Sequence, residues 1–387
     1  MNMDRKDWIL YYFITMMMFS SCIRSYEPEI LTGDEKKYVI TGQVTDEDGS
    51  QSINVSLSSP IGSPKYIPVT GCQVNILDDK GHTFPLGDEG GGNYNNTIDP
   101  AFLQPGVAFK LEVTTPEGDF ITSDFDTLTR GPEVDSVYYI REEKLYNPVA
   151  PPVMGIQFYL DLHGATTDSR YYRFEAIETW EYHSPLPLEW YYDGVVHHVT
   201  PPDSSKMVCW RTIRLPDIFT LTTDNLNENS YEQYPLHFVS NLTVRLAYGY
   251  SLLVRQFALS REAFTYYENL RVNSNPEGGL YDKQPLSIRG NLHNQTHPDQ
   301  DVLGFFAANA VRSKRIFVYP IPDLPLNYHV ECEAFPIRGG LSKIKPKDYP
   351  VYLSGNSNGY SLSWLENECV DCLVLQGTNI KPDFWPF

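Results

Sequence analysis

The chain of 387 residues carries 49 acidic against 30 basic side chains, a formal charge of −19, and 41% of it is apolar. With its 26 glycines the apolar share reaches about 48%, ordinary for a globular protein and too high for a disordered or fibrous one. The length favours two domains over one core. The charge argues against nucleic acid, whose phosphates need clustered Lys and Arg, and against electrostatic attachment to anionic lipid.

At the start, Arg5 and Lys6 precede an apolar stretch from Trp8 to Met18 broken only by Thr15. About a dozen residues is short of the ~20 that span a bilayer and suits the apolar region of a signal peptide. Phe19-Ser20-Ser21-Cys22 follows and resembles a bacterial lipobox, which makes 1–21 a removed signal peptide and Cys22 the lipidated residue. No later segment approaches ~18 consecutive apolar residues, so membrane attachment is expected by lipid alone. Ile23 is not the aspartate of an inner-membrane retention signal, and the acidic, proline-containing stretch 22–34 reads as a tether. Either leaflet of an outer membrane is compatible with this start.

Residues 35–130 read as short strands with turns between them, and the order of Thr45-Asp-Glu-Asp-Gly49, Val69 to Ile76 and Gly92-Asn-Tyr94 resembles an immunoglobulin-like β-sandwich. Phe109, Leu111 and Val113 alternate with polar neighbours, the period of a half-buried strand. Asp79-Lys-Gly81 and Pro116-Glu-Gly118 are turns. Cys72 shares a face with Val74 and Ile76, as a small core residue would. From Gly33 to Arg130 there are 15 acidic and 6 basic residues, nearly half the net charge in about a quarter of the chain. Such a module stays soluble and off an anionic surface.

Residues 131–387 read as a larger β-rich domain. Ile156, Phe158, Leu160 and Leu162 mark one strand, and Leu242, Val244 and Leu246 predict another. Between them the prolines from Pro185 to Pro202 predict a long loop carrying Trp190, Tyr191, Tyr192, His197 and His198. Exposed rings in such a loop would contact a ligand or a partner. One helix is expected near 260–272, capped by Ser260, with Ala263, Phe264, Tyr267 and Leu270 on one face and Pro276 and Gly278-Gly279 at its end. Val302–Ala310 and Arg315–Tyr319 predict two returning strands.

An oxidising compartment makes Cys209, Cys332, Cys369 and Cys372 candidates for two disulfides, with three connectivities open and Cys72 left free. Cys369-Val-Asp-Cys372 lacks the context of a redox or zinc motif. Gly355-Asn-Ser-Asn-Gly359 matches a nucleophile-elbow pattern, but no histidine follows it and no helix is expected after it, so an Asn-Gly turn is the better reading. His293 and His297 have zinc spacing in what reads as a loop, bracketed by Gly290 and Pro298. Asp46-Glu-Asp-Gly49 begins like a calcium loop, but Leu57 stands where the bidentate carboxylate belongs. No nucleotide fingerprint is present. The expectation is therefore no metal, no cofactor and no catalytic residue. Asp126-Thr-Leu128 and Asp135-Ser-Val137 resemble the O-glycosylation sequon of periplasmic Bacteroidota proteins, with Thr127 and Ser136 as acceptors.

Several blocks go beyond composition: Arg170 to Glu181, Cys209 to Thr212, Leu253 to Ser260, Gly278 to Asp282, Val302 to Phe306 and Gly377 to Trp385. With them the mature chain resembles the Bacteroidota lipoprotein family called domain of unknown function four-two-four-nine. The resemblance implies an outer-membrane lipoprotein found beside TonB-dependent transporters, and it carries no reaction. The expected function is a non-catalytic accessory or ligand-capture partner of such a transporter. The alternative is a stand-alone surface lipoprotein that binds glycan or peptide.

Overall fold

The computed structural model describes residues 36–47, 49–60, 63–147, 149–274, 288–328, 332–355 and 362–386. The expected signal peptide and tether with Cys22, the Pro276 and Gly278-Gly279 helix end and Asn356–Gly359 lie outside the described residues. Lys37–Ser58 and Tyr66–Phe387 form one compact unit. The segment 59–65 belongs to the other, and in it the Lys65 amide donates to Ser59 Oγ at 3.0 Å.

The chain is mainly β. Strands β1 (Tyr38–Thr45) and β2 (Ser50–Leu57) pair antiparallel, and β3 (Ile67–Pro68) adds to β2. β4 (Gln73–Asp78) turns at Asp79-Lys-Gly81 into β5 (Thr83–Gly90), which pairs with β6 (Asn93–Thr97). β7 (Ala108–Thr114) buries Phe109, Leu111 and Val113 and leaves the residues between half-buried, as its alternation predicts. Past the Pro116-Glu-Gly118 turn come β8 (Phe120–Ser123) and β9 (Asp126–Thr127).

In the second region β10 (Ser136–Lys144) and β11 (Val153–His163) form a hairpin. They are followed by β12 (Tyr171–His183), β13 (Leu188–Tyr192), β14 (Val196–Asp203), β15 (Val208–Arg214), β16 (Phe219–Thr222) and β17 (Ser230–Ser240). β18 (Gly249–Ala258) leads into helix α1 (Arg261–Ser274), then β19 (Leu292–Asn294) and β20 (Leu303–Val318). β21 (Phe335–Pro336), β22 (Val351–Gly355) and β23 (Leu362–Trp364) close the strand list.

Most strands share one sheet in the order β15-β12-β18-β20-β1-β2-β6-β5-β4-β7-β8-β19, beside a three-stranded sheet β10-β11-β17 and a five-stranded one β14-β13-β22-β23-β21. Two cores result. In the first, Ile40, Val44 and Ile53 meet Ile76, Phe109 and Leu111 across a sandwich. In the second, Ile156, Phe158, Leu160 and Leu162 of β11 face Tyr172, Phe174, Tyr250 and Leu252 of β12 and β18. The Phe158 and Tyr250 rings stack 5.5 Å apart. Each such side chain, removed from water, contributes about 1.5–3 kcal/mol.

The two expected strands at 302–310 and 315–319 are one strand, β20, which serves both cores. Its first half runs parallel to β1, from Val39 opposite Leu303 to Thr45 opposite Asn309. Its second half runs antiparallel to β18, from Ala258 opposite Ala310 to Tyr250 opposite Val318. Alternation holds throughout: Phe306 and Ala308 enter the first core, Ala310 the second, while Phe305, Ala307 and Val311 face the helix. β19 also pairs with β8, so strands from beyond residue 290 complete the sandwich begun at Tyr38.

Helix α1 forms where its periodicity predicts it. Ser260 Oγ accepts from the Ala263 amide at 3.1 Å, satisfying a free donor of the first turn. Ala263, Phe264 and Tyr267 pack on Phe257, Phe305 and Val311.

Leu242, Val244 and Leu246 do not form a strand. Val244–Leu246 is a 3-10 turn, Leu242 is exposed and Leu246 is buried. A strand would send Arg245 away from the face that buries Leu246; the turn lets both side chains reach the core, where Arg245 meets Glu178.

Candidate functional site

The five-stranded sheet holds both the expected aromatic cluster and a cleft. Trp190, Tyr191 and Tyr192 are not in a loop. They form β13, an interior strand with Trp190 opposite His198 on one side and Leu353 on the other. The prolines that predict a loop fall where a missing N–H costs nothing. Pro185 and Pro187 precede β13, and Pro201 and Pro202 lie in the edge strand β14.

The two faces of β13 have different neighbours. Trp190 and Tyr192 pack with Val351 and Leu353, while Tyr191 packs with Tyr352, Leu365 and Cys369. Tyr192 is buried and offers little to a partner. Trp190 lies so close over Gly355 that a Cβ there would come within 2.7 Å of its Nε1. The edge-strand histidines extend these rings outward: His198 stacks on Trp190 at 3.9 Å and His197 on Tyr191 at 4.5 Å. His197 Nε2 lies 2.9 Å from Asp193 Oδ1.

On the same sheet a cleft of about 890 Å³ has Val351 and Trp364 in its wall, with Asp348, Glu366, Glu368 and Arg338 among its charged groups. Trp364 is 38% exposed and its ring sits 5.4 Å from Phe335, itself exposed. Three carboxylates against one guanidinium make the rim negative. An apolar floor with such a rim can take an aromatic or aliphatic side chain flanked by a basic one.

Two disulfides brace this region, resolving the open connectivity. Cys209 pairs with Cys372 and Cys332 with Cys369, at Cα separations of 5.8 and 5.7 Å. Cys369-Val-Asp-Cys372 is thus a double staple, each sulfur bound to a distant partner. Asp371, between them, accepts from the Leu373 amide at 3.0 Å, from Lys206 Nζ at 2.7 Å and from the Tyr352 hydroxyl. Burial works to raise the Asp371 carboxyl, but these bonds hold it below the ordinary range. Burial, then the bond to Asp371, pushes Tyr352 up to about 12. Cys72 is free and buried, and burial raises its thiol.

A second polar cluster surrounds a carboxylate that is closed to solvent. Glu178 of β12 is fully buried; the Tyr250 hydroxyl donates to it at 2.9 Å, Arg245 lies 3.2 Å away and His237 3.5 Å away. Burial and the neighbouring carboxylate raise the Tyr250 hydroxyl well above its usual value. Enclosed this way, the cluster holds the two layers of the second core together. Sequence reasoning missed this cluster and the one at Asp371, because their members lie far apart in the chain. The acid inside C-x-x-C was the one local signal.

Of the remaining expected sites, Thr127 is exposed in β9, whereas Ser136 is half-buried and donates to Asp161 Oδ2 at 2.7 Å. His293 begins not in a loop but in β19, and the two histidines serve different carboxylates: His297 Nδ1 is 2.6 Å from Asp119 and His293 Nε2 is 3.2 Å from Asp124. Among the described residues no group of three or more His, Cys, Asp or Glu side chains gathers as metal ligands. Among them, too, no helix is long and apolar enough to cross a membrane.

Fold and site define a mainly β, disulfide-stapled protein whose strands close two cores through one shared strand. The chain belongs to the family described as Domain of unknown function (DUF4249), whose model matches residues 23–315. No curated protein matches it in sequence. Among solved structures it is similar to trypsin-activated alpha-2-macroglobulin from Escherichia coli, at 12% identity and a TM-score of 0.20, over 74% of this chain and 16% of that one. It is also similar to Escherichia coli alpha-2-macroglobulin activated by porcine elastase, at 12% identity and a TM-score of 0.20, over 84% and 21%. The chain thus spans less than a quarter of either molecule, and the likeness is too slight to carry an argument.

Proposed function

We propose that this protein is a non-catalytic outer-membrane lipoprotein of a Bacteroidota species, anchored through Cys22, that serves a TonB-dependent transporter as accessory or ligand-capture partner. The observation that carries the reading is the order Arg5-Lys6, an apolar run from Trp8 to Met18, then Ser20-Ser21-Cys22, the order needed for lipid-modified export. Trp364 and Phe335 beside a negatively rimmed cleft supply the surface for contact, since exposed aromatics in a concave patch supply most of the affinity of protein interfaces. O-glycosylation belongs to the same reading, with Thr127 the accessible acceptor and Ser136 engaged with Asp161. A stand-alone glycan or peptide receptor is the second reading, favoured by the exposed Trp364 ring.

The test is purification of the tagged, lipidated protein from its own membranes in mild detergent, with stoichiometry by mass spectrometry. A transporter recovered near one-to-one is expected, and recovery of the protein alone favours the second reading. In the same preparation intact mass reports diacyl and glycan additions, and Cys22→Ser should move the protein to the soluble fraction. A Cys22→Ser protein that stays in the membrane would sink the anchor.

A further inference from the structure

Helix α1 covers only part of the sheet face it crosses. Beside it lies a trough of about 360 Å³ that draws on β1, β2, β12, β15, β20 and the helix. One side is polar: Thr41 stands opposite Asn54 and Gln43 opposite Ser52 in the β1–β2 register. Tyr266, Tyr267 and Phe305 supply rings, with Tyr266 and Phe305 stacked 5.0 Å apart.

Arginines supply the charge. The Arg173 guanidinium lies 4.1 Å from the Phe257 ring centre and 4.5 Å from that of Tyr267, which fixes its plane. Its Nη1 is 2.8 Å from Glu175 Oε1, its Nη2 donates to Gln43 Oε1 at 3.3 Å, and its Nε is buried with no partner. Glu175 is also shared with Arg255 at 3.4 Å and Arg214 at 3.7 Å, while Arg255 reaches Glu47 at 2.5 Å. Three guanidiniums thus face two carboxylates, one positive charge in excess within a chain of −19. Arg214 is the most loosely held, its side chain 61% exposed. Gln43 Oε1 accepts from both Arg173 and Asn309, which leaves its amide hydrogens for the trough.

We propose that this trough binds an acidic sugar, a pyranose ring bearing a carboxylate. The tyrosine rings offer a flat apolar surface to the C–H face of such a ring. Thr41, Ser52, Asn54 and the Gln43 amide offer donors and acceptors for its hydroxyls. Arg214, loosely held and exposed, supplies the planar donor fork that matches a carboxylate, and Arg173, already held by Glu175 and Gln43, adds positive charge behind it. The volume is near the lower end of the ~300–1,000 Å³ of ligand sites and suits one or two rings. This inference does not rest on the transporter reading, because binding to the purified chain needs no transporter.

The experiment titrates the detergent-solubilised full-length protein with methyl glucuronide and with methyl glucoside, which differ only in the carboxylate, following saturation transfer by NMR. A charged hydrogen-bonded group predicts at least about tenfold tighter binding of the glucuronide. Arg214→Gln, at an exposed side chain, is expected to remove that preference and leave the melting temperature unchanged. Equal binding of the two sugars, binding of neither, or a preference that survives Arg214→Gln would overturn the proposal. Recovery of a transporter from membranes is a separate readout and stands or falls apart from it.

Discussion

Asp371 shows how one side chain ties pH to stability. Its carboxyl is held low by Lys206, Tyr352 and the Leu373 amide despite burial, and Asp119 is held low in the same way by His297, Asn294 and Tyr38. A carboxyl that titrates lower in the folded state than its unfolded value of about 3.9 stabilises the fold above that value. The contribution is lost as pH falls through the folded value. Stability measured by urea unfolding should therefore be flat near neutrality and decline below about pH 4. Asp371→Asn should lower the plateau and flatten part of the acid decline. An unchanged acid limb in that variant would remove Asp371 from the account. Neither carboxylate's role was legible in the sequence, because Lys206 and Asp371 are 165 residues apart.

At the scale of elements, what repeats locally was legible and what depends on a distant partner was not. The alternation of Phe109, Leu111 and Val113 set β7, and the Ser260 cap set the start of α1, because each signal lies inside the element it forms. Trp190–Tyr192 misled because prolines mark a loop only when the chain around them has no edge to occupy. The continuity of β20 was hidden by Arg312, Ser313 and Lys314, which break its apolar pattern while the ladder with β18 runs straight through them. Gly304 sets how closely β20 approaches β1. Its φ is +111° and a Cβ would lie 1.8 Å from the Ile40 carbonyl oxygen. Gly304→Ala combines an unfavourable backbone region with a clash against main chain, and a loss on the order of 2–4 kcal/mol is expected. Chemical denaturation checks it; a loss below about 0.5 kcal/mol, the size of a neutral surface change, would contradict the close approach.

For the whole molecule, the cysteine count was legible as two disulfides, but only the folded chain pairs them. Their loops differ, with sequence separations of 163 for Cys209–Cys372 and 37 for Cys332–Cys369. Chain-entropy arguments assign about 5 kcal/mol to the longer and about 4 to the shorter. Removing the first pair as Cys209→Ala with Cys372→Ala should therefore lower stability more than removing Cys332 and Cys369, as compared by urea midpoints. The reverse order would show that the packing around Cys332 outweighs loop closure. The shared strand β20 also sets a timetable for synthesis. Val39 meets its neighbour Leu303 only after about 260 further residues have been made, which at ~5–20 residues per second is on the order of tens of seconds. Through that interval the β1 edge is unpaired and the apolar face of a half-built sandwich stands open. A gene cut near residue 130 would leave the chain in that state for good, its β1 edge without the strand that completes it.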